Sequence, residues 1–237
     1  MISTAVIIAG GLGTRLHPLT LEIPKPLIPI RGTTLTEHVI SKLKEAGVKK
    51  VYLSIGYLSE KIIKHFSIHD LGIEIEFLIE QQPLGTGGWL KLLTQEQISK
   101  DFKEDFIVVN GDNLFDLNWE AMHDLHKTNN SLITIALKEV EEVSHLGVVR
   151  LEENKILEFV EKPPKGLEPS NFINSGYYIF SPLIFNILPS ETKIMFEKNL
   201  FPKIASLNKL FGYKDNSQWF DTGTFERWHE VIKNWKV

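Results

Sequence analysis

The sequence predicts an α/β fold: a mostly parallel sheet flanked by helices, with an antiparallel insertion. Two observations lead there. In the first half, apolar β-branched runs alternate with stretches of helical period, the strand–helix–strand rhythm of right-handed crossovers. In the second half, similar runs follow one another through short connections, as antiparallel strands do. Residues 4–9 read as a fully buried strand that opens the chain. Residues 35–46 set Leu35, Val39, Leu43 and Ala46 on one stripe, and Gly47 ends that helix. Strands are expected at 51–55 and 73–79, on either side of a short helix at 58–66. Residues 87–94 look helical, and 106–109 read as another buried strand. Further on, 131–140, 147–151, 156–160 and 172–180 read as strands, with Glu153-Asn154 turning a hairpin. Helices are expected at 196–207 and 225–235, the latter with Phe225, Trp228, Val231, Ile232 and Trp235 as its apolar face. The Pro-rich loop at 162–169 is too short to separate domains, and there is no internal repeat. Residues 1–237 are therefore expected to form a single domain.

Composition excludes several classes of function. The 237 residues include 26 Lys plus Arg against 30 Asp plus Glu, a net charge of −4. That balance argues against the wide basic footprint of a nucleic-acid binder, yet permits a local cation cluster for a small anion. With no cysteine, disulfides, thiolate metal sites and cysteine nucleophiles are ruled out. No apolar run approaches the roughly 20 residues that span a bilayer, and residues 1–9 lack the basic start of a signal peptide. No membrane partner is expected, and a cytoplasmic location follows by elimination.

The strongest local feature is Gly10-Gly11-Leu12-Gly13-Thr14-Arg15-Leu16, directly after the first strand. Glycines there let the backbone turn tightly and present N–H groups to an anion. Position 16 is Leu, so the dinucleotide fingerprint fails, and no Gly-Lys-Ser/Thr follows to make a P-loop. Ten residues beyond Arg15, Lys25 stands between Pro24 and Pro26, with Pro29 close behind. Prolines fix an extended path and forbid a helix, which suits a charge that must be aimed. Together, the loop and the lysine favour phosphate binding.

These motifs, with Pro18-Leu19-Thr20, resemble the signature of the sugar-1-phosphate nucleotidylyltransferases, the NDP-sugar pyrophosphorylases. The resemblance continues through Pro83-Leu84-Gly85-Thr86-Gly87, Asn110-Gly111-Asp112, Gly147-Val148-Val149, Glu161-Lys162-Pro163, Asn174-Ser175-Gly176 and Trp219-Phe220-Asp221-Thr222-Gly223-Thr224, in order over nearly the whole chain. It implies a Rossmann-like, GT-A-like fold whose antiparallel insertion binds a sugar. The implied reaction joins a nucleoside triphosphate to a sugar 1-phosphate, giving an NDP-sugar and pyrophosphate. It implies Arg15 at the leaving pyrophosphate and Lys25 at the α-phosphate as catalytic groups. Gly10, Gly11, Gly13, Thr14, Glu80 and Gly85 are the implied nucleotide contacts. Asp112 and Asp221 are the implied ligands of Mg²⁺. Gly147, Glu161, Lys162 and Asn174 are implied on the sugar phosphate, where a carboxylate suits hydroxyl donors and an ammonium suits a phosphate. Read without the family, Asp112 and Asp221 are equally turn or cap residues.

The base is less determined. Glu80 stands where thymidylyl members carry a pyrimidine-reading Gln. A carboxylate accepts two donors, as guanine's N1–H and N2–H₂ offer, so Glu80 leans toward GTP. The stretch Pro83-Leu84-Gly85-Thr86-Gly87-Gly88 also resembles the mannose- and heptose-phosphate guanylyltransferases, which implies a mannose- or heptose-type 1-phosphate. Gln81 and Gln82 adjoin Glu80, and a shift of one residue returns UTP, dTTP or CTP with a glucose, N-acetylhexosamine or muramate type. Phe225 and Thr34 replace prolines usual in the family, which predicts altered loops. His123 and His126 have metal-ligand spacing but no third ligand nearby, and read as a solvated helix face. Most of the five tryptophans read as core. A non-catalytic relative is disfavoured because Arg15, Lys25, Asp112 and Asp221 are all present, and a glycosyltransferase because Asp112-Asn113-Leu114 is not Asp-x-Asp. Monomer and homo-oligomer remain equally open.

Overall fold

The computed structural model describes residues 1–236; Val237, the last residue of the expected domain, lies outside the described residues. The chain begins with β1 (Thr4–Ile8), buried as its apolar run demands. A two-residue ladder, β2 (Pro29–Ile30) with β3 (Thr33–Thr34), leads into α1 (Leu35–Glu45). Thr34 caps α1: its Oγ1 accepts from the Glu37 amide at 3.3 Å, and Glu37 Oε2 accepts from the Thr34 amide at 2.6 Å. The loss of the family's proline at Thr34 thus leaves a capping box in its place. Then come β4 (Lys50–Ile55), α2 (Ser59–Ile68) and β5 (Glu74–Ile79).

The expected helix at 87–94 is only a 3₁₀ turn, Gly88–Lys91, followed by a true helix, α3 (Gln95–Asp101), which the apolar pattern did not mark. Its signal was the pair Thr94 and Gln97, a second capping box. The chain continues through β6 (Phe106–Asn110), β7 (Asn113–Phe115), α4 (Trp119–Thr128) and β8 (Ile133–Glu139). The hairpin β9 (Gly147–Glu152) and β10 (Lys155–Glu161) is antiparallel, with Glu153 at φ 54° in the turn. After β11 (Phe172–Phe180), the expected helix at 196–207 divides into a π-helical turn, Phe196–Leu200, and α5 (Phe201–Ser206). The strands β12 (Leu210–Lys214) and β13 (Trp219–Asp221) precede α6 (Phe225–Asn234). β12 escaped the sequence because Gly212 breaks its apolar run. A Cβ there would stand 2.4 Å from Leu137 Cδ1, so the close strand contact requires the gap.

The chain forms two compact units, interleaved in sequence. One comprises residues 1–83, 109–116 and 218 onward; the other comprises 84–108 and 117–217. In the first, β1, β4 and β5 pair in parallel in the order β5-β4-β1, and α1 and α2 are their crossovers. β4 is buried throughout, as the centre of a parallel sheet must be. Trp235, fully buried at the end of α6, meets the Phe220 ring edge-on at 6.1 Å. The α6 end is also tied to the β2–β3 turn: Arg31 donates to the Trp235 carbonyl at 2.8 Å, and Trp228 Nε1 donates to the Pro29 carbonyl at 2.9 Å.

The second unit is mixed, matching the expected antiparallel insertion. β8 is antiparallel to β11 and parallel to β12, while β10 is antiparallel to β12 and β9. Its core is aromatic: Trp89, Phe102, Phe106, Phe180 and Phe196 are fully buried and pack ring on ring. Trp89 and Trp235 thus join the core as expected, whereas Trp119, Trp219 and Trp228 are half-buried. Among the described residues, no helix is long and apolar enough to cross a membrane.

Removing the second capping box tests whether α3 depends on it. Thr94→Ala should cost about 1 kcal/mol of unfolding free energy and Thr94→Ser much less, measured by urea denaturation. Equal stability of all three chains would show that packing alone holds α3.

Candidate active site

The glycine loop leaves β1 and is shaped by its neighbours. Gly13 has φ 63°, and a Cβ on it would stand 3.0 Å from Thr20 Cγ2 and 3.3 Å from Lys25 Cβ. Thr20 Oγ1 donates to the Gly13 carbonyl at 2.8 Å, pinning the loop to the proline segment. A Cβ on Gly10 would lie 3.2 Å from Glu80 Oε1, so Glu80 abuts the loop, with Ser54 Oγ donating to that same oxygen at 2.9 Å. Around Gly11 there is open space. Thr14, Arg15 and Leu16 form a 3₁₀ turn that keeps Arg15 exposed.

The prolines around Lys25 do not hold a purely extended path, as the sequence suggested. Lys25–Leu27 is a single 3₁₀ turn, which tolerates Pro26 because the first turn of a helix has no use for that N–H. The turn buries Lys25 to 7 % exposure and points its ammonium at Asp112, with Nζ 2.8 Å from Oδ2.

Asp112 stands just past β6. Gly111 makes this possible: its amide donates to the Ile8 carbonyl at 2.8 Å, and a Cβ would come within 3.0 Å of Ile7 Cγ2 and of the Ile8 carbonyl. Burial by itself raises the Asp112 carboxyl. The Lys25 ammonium, and behind it the Arg15 guanidinium, more than offset this and hold it below the ordinary carboxylate range.

Asp221 reaches the same place from the other end of the chain. β13 pairs antiparallel with β7, setting Asp221 opposite Asn113. Thr222 then donates twice to the Asp112 carbonyl, from its amide at 3.1 Å and its hydroxyl at 2.7 Å. Gly223 is required by crowding: a Cβ would lie 2.8 Å from Asp221 Oδ1 and 3.0 Å from Arg15 Nη2. Arg227, absent from the sequence reading, pairs with Asp221 Oδ2. It sits in the first turn of α6, capped by Thr224, where the helix dipole disfavours a cation. That misplacement was the available signal that a carboxylate answers it.

One unit thus gathers Gly10, Gly11, Gly13, Arg15, Lys25, Glu80, Asp112 and Asp221. Two carboxylates, Asp112 in the turn between β6 and β7 and Asp221 on β13, the first held ionised, are a donor set that a hard divalent cation such as Mg²⁺ accepts, with phosphates and waters completing its shell. The pairing of each with Lys25 or Arg227 shows that the site balances its negative charge.

The second unit holds the other expected residues. Gly147 fits closely into its strand: a Cβ would strike Phe159 Cζ at 2.4 Å and approach Glu161 Oε2 at 3.0 Å. Gly85, at φ 85°, is likewise constrained by packing, since a Cβ would stand 2.5 Å from the Ile194 carbonyl. Asn174 bridges a bulge in β11, its Nδ2 donating to Tyr178 Oη at 2.9 Å and its Oδ1 accepting from the Gly176 amide at 3.0 Å. Lys162 adopts φ 52°, rare for a side chain of its kind, with Nζ 3.4 Å from Glu161 Oε1. Glu197 was not anticipated. It lies in the π-helical turn, accepts from Thr86 Oγ1 at 3.2 Å, and has its carboxyl pushed up by burial and by the Glu161 charge. π-turns recur at functional sites, but nothing in sequence marks them.

Residues 4–236 match the family described as nucleotidyl transferase. Three relatives are informative. The chain is 37% identical over 224 residues to the bifunctional protein GlmU of Methanococcus maripaludis, covering 92% of this chain and 51% of that protein. It is 38% identical over 223 residues to mannose-1-phosphate guanyltransferase beta-B of Xenopus laevis, covering 92% and 61%. It is 33% identical over 229 residues to D-glycero-alpha-D-manno-heptose 1-phosphate guanylyltransferase of Aneurinibacillus thermoaerophilus, covering 97% and 96%. Against the first two, the chain spans about half to three fifths of the relative's length. Among solved structures, HddC from Yersinia pseudotuberculosis complexed with GMP-PN superposes with a TM-score of 0.79 at 28% identity, covering 99% of this chain and 100% of that one.

The Lys25–Asp112 pair makes a measurable claim about charge. In Lys25→Met the Asp112 carboxyl should titrate at higher pH than in the unaltered chain, followed by ¹³C carboxyl NMR. The group's native value is depressed, so its stabilising contribution is present at neutral pH and lost as pH falls through that value. The variant should lose it at a higher pH. An unchanged titration would show that Lys25 does not set the carboxyl's charge.

Proposed function

We propose a reaction for this chain from the premise that it belongs to the nucleotidyl transferase family. The chain transfers the nucleotidyl group of a nucleoside triphosphate to a sugar 1-phosphate. The observation that carries this reading is the buried Lys25 ammonium, aimed by its proline turn at the place where Asp112, Asp221 and Arg15 converge. A sugar-phosphate oxygen attacks the α-phosphorus in line. The bond from α-phosphorus to the bridging oxygen breaks, and pyrophosphate leaves with the electron pair. No covalent intermediate with the protein is needed, so positioning and charge stabilisation supply the rate.

The chain's residues divide that work. The N–H groups of Gly10, Gly11, Gly13 and Thr14 receive the triphosphate, and Arg15 answers the charge growing on pyrophosphate. Lys25 neutralises charge at the α-phosphate. Asp112 and Asp221 would hold Mg²⁺, which would supply Lewis-acid neutralisation of the phosphates. Lys162 meets the sugar phosphate, while Glu161 and Glu197 accept hydroxyls of the sugar. Gly85 and Gly147 serve by close packing that sets Glu161 and the 194–197 segment, and Asn174 by fixing its bulge. A soluble phosphorylated substrate pair fits work in the cytoplasm.

The preferred nucleotide is GTP and the sugar a mannose- or heptose-type 1-phosphate. Glu80 beside the glycine loop offers guanine a two-donor acceptor. Support comes also from the relatives named as mannose and heptose guanylyltransferases and from the GMP-PN complex of HddC.

Pyrophosphate release with a grid of nucleoside triphosphates and sugar 1-phosphates, with Mg²⁺, tests the reaction. Lys25→Ala should lower kcat by about two or more orders of magnitude while the fold persists by circular dichroism; near-normal turnover would overturn the assignment. Glu80→Gln should cut kcat/KM for GTP by roughly tenfold or more and improve the ratio for UTP or dTTP. Turnover by the unaltered chain of pyrimidine triphosphates alone would overturn the guanine reading.

A further inference from the structure

We propose that Glu37, His65 and His69 form a second metal site, for a borderline divalent transition ion of the Zn²⁺ kind, where α1 meets α2. It shares no residue with the acidic pair of the nucleotide site. Among the described residues, these three are the group of His and carboxylate side chains whose ligand atoms all lie within 4.8 Å of one another. His65 lies in the last turn of α2 and His69, four residues on, is the extended residue that ends the helix. Their ring centroids are 4.3 Å apart and tilted by 35°. His65 Nε2 is 3.1 Å from Glu37 Oε1. Two ligands bonded to a tetrahedral zinc stand about 3.3–3.4 Å apart, so the ion needs an opening of a few tenths of an ångström.

The orienting hydrogen bonds of a metal site are in place. The Nδ1–H of His69 donates to the His65 carbonyl at 2.8 Å, which fixes the tautomer and leaves the Nε2 lone pair for a metal. Glu37 Oε2 accepts from the Thr34 amide at 2.6 Å, which holds Oε1 toward His65. Burial would raise the Glu37 carboxyl; the Thr34 donors and His65 outweigh it and keep it below its usual range, hence ionised. Exposed His69 gives an entry path for an ion and its completing waters. Binding displaces the His65 Nε2 proton to solvent. Asp105, His123 and His126 are arranged differently. One carboxylate there engages both rings, at 3.0 and 3.6 Å, and Thr134 meets His126 Nδ1 at 2.8 Å.

Calorimetric titration of the full chain with ZnCl₂, together with Co²⁺ absorption spectroscopy, tests the site. Glu37→Gln keeps the capping box, because Gln serves at that position as well as Glu, and His69→Ala alters an exposed residue. One Zn²⁺ should bind per chain, and equally to Asp112→Asn, with the intense visible bands of tetrahedral Co²⁺. Affinity should fall at least about tenfold in His69→Ala and in Glu37→Gln, with unchanged thermal melting of the metal-free proteins. Absence of saturable binding to the unaltered chain, undiminished affinity in both variants, or binding lost in Asp112→Asn would each overturn the proposal.

Discussion

An ammonium taken out of water must meet an opposite charge, and Lys25 meets Asp112 at 2.8 Å. Much of the first unit is organised to make that contact. The proline turn aims the lysine, Gly13 lies close beside its stem with Thr20 pinning the loop, and Gly111 lets the chain turn tightly at β1 so that Asp112 arrives in reach. Removing one partner of a fully desolvated pair costs about 3–5 kcal/mol, and less here because the Asp112 carboxylate keeps some contact with solvent. A phosphate arriving between such groups would exchange partners with them rather than meet bare charge.

Glycines carry a second constraint, of space. Gly13 and Gly85 need the left-handed region, whereas Gly111, Gly147 and Gly223 have no room for a methyl group. In Gly147 the crowding neighbours are Phe159 and Glu161, so the residue shapes the β9–β10 pairing from within. In Gly223 the neighbours are Arg15 and Asp221, two charged groups that the glycine allows to approach one backbone.

Most of the strands and α1 were legible because their burial follows simple periods: Leu35, Val39 and Leu43 along α1, and the unbroken runs of β1 and β4. The glycine loop, Lys25 and the two aspartates were legible through motif order, and the structure brings them into one unit. What escaped lacked a period or depended on distant partners. α3 is polar and announced only by its caps, and β12 is interrupted by Gly212. Glu197 matters through a π-turn, Arg227 through a carboxylate six positions before it, and Glu37 with His65 through the meeting of two helices. Such relations belong to the packed chain and leave almost no trace in linear spacing.

The scattering of the first unit over three stretches of sequence has a consequence for how the protein comes into being. Lys25 and Asp112 leave the ribosome well before β13 and α6, which carry Asp221 and are tied to the Pro29–Arg31 turn. Every residue of the second unit, up to 217, is made before β13. The first unit therefore depends on one long-range closure, which must wait until residues 84–217 have been made. A chain interrupted anywhere before residue 221 lacks half of the acidic pair, so the two aspartates coexist only once β13 has been made.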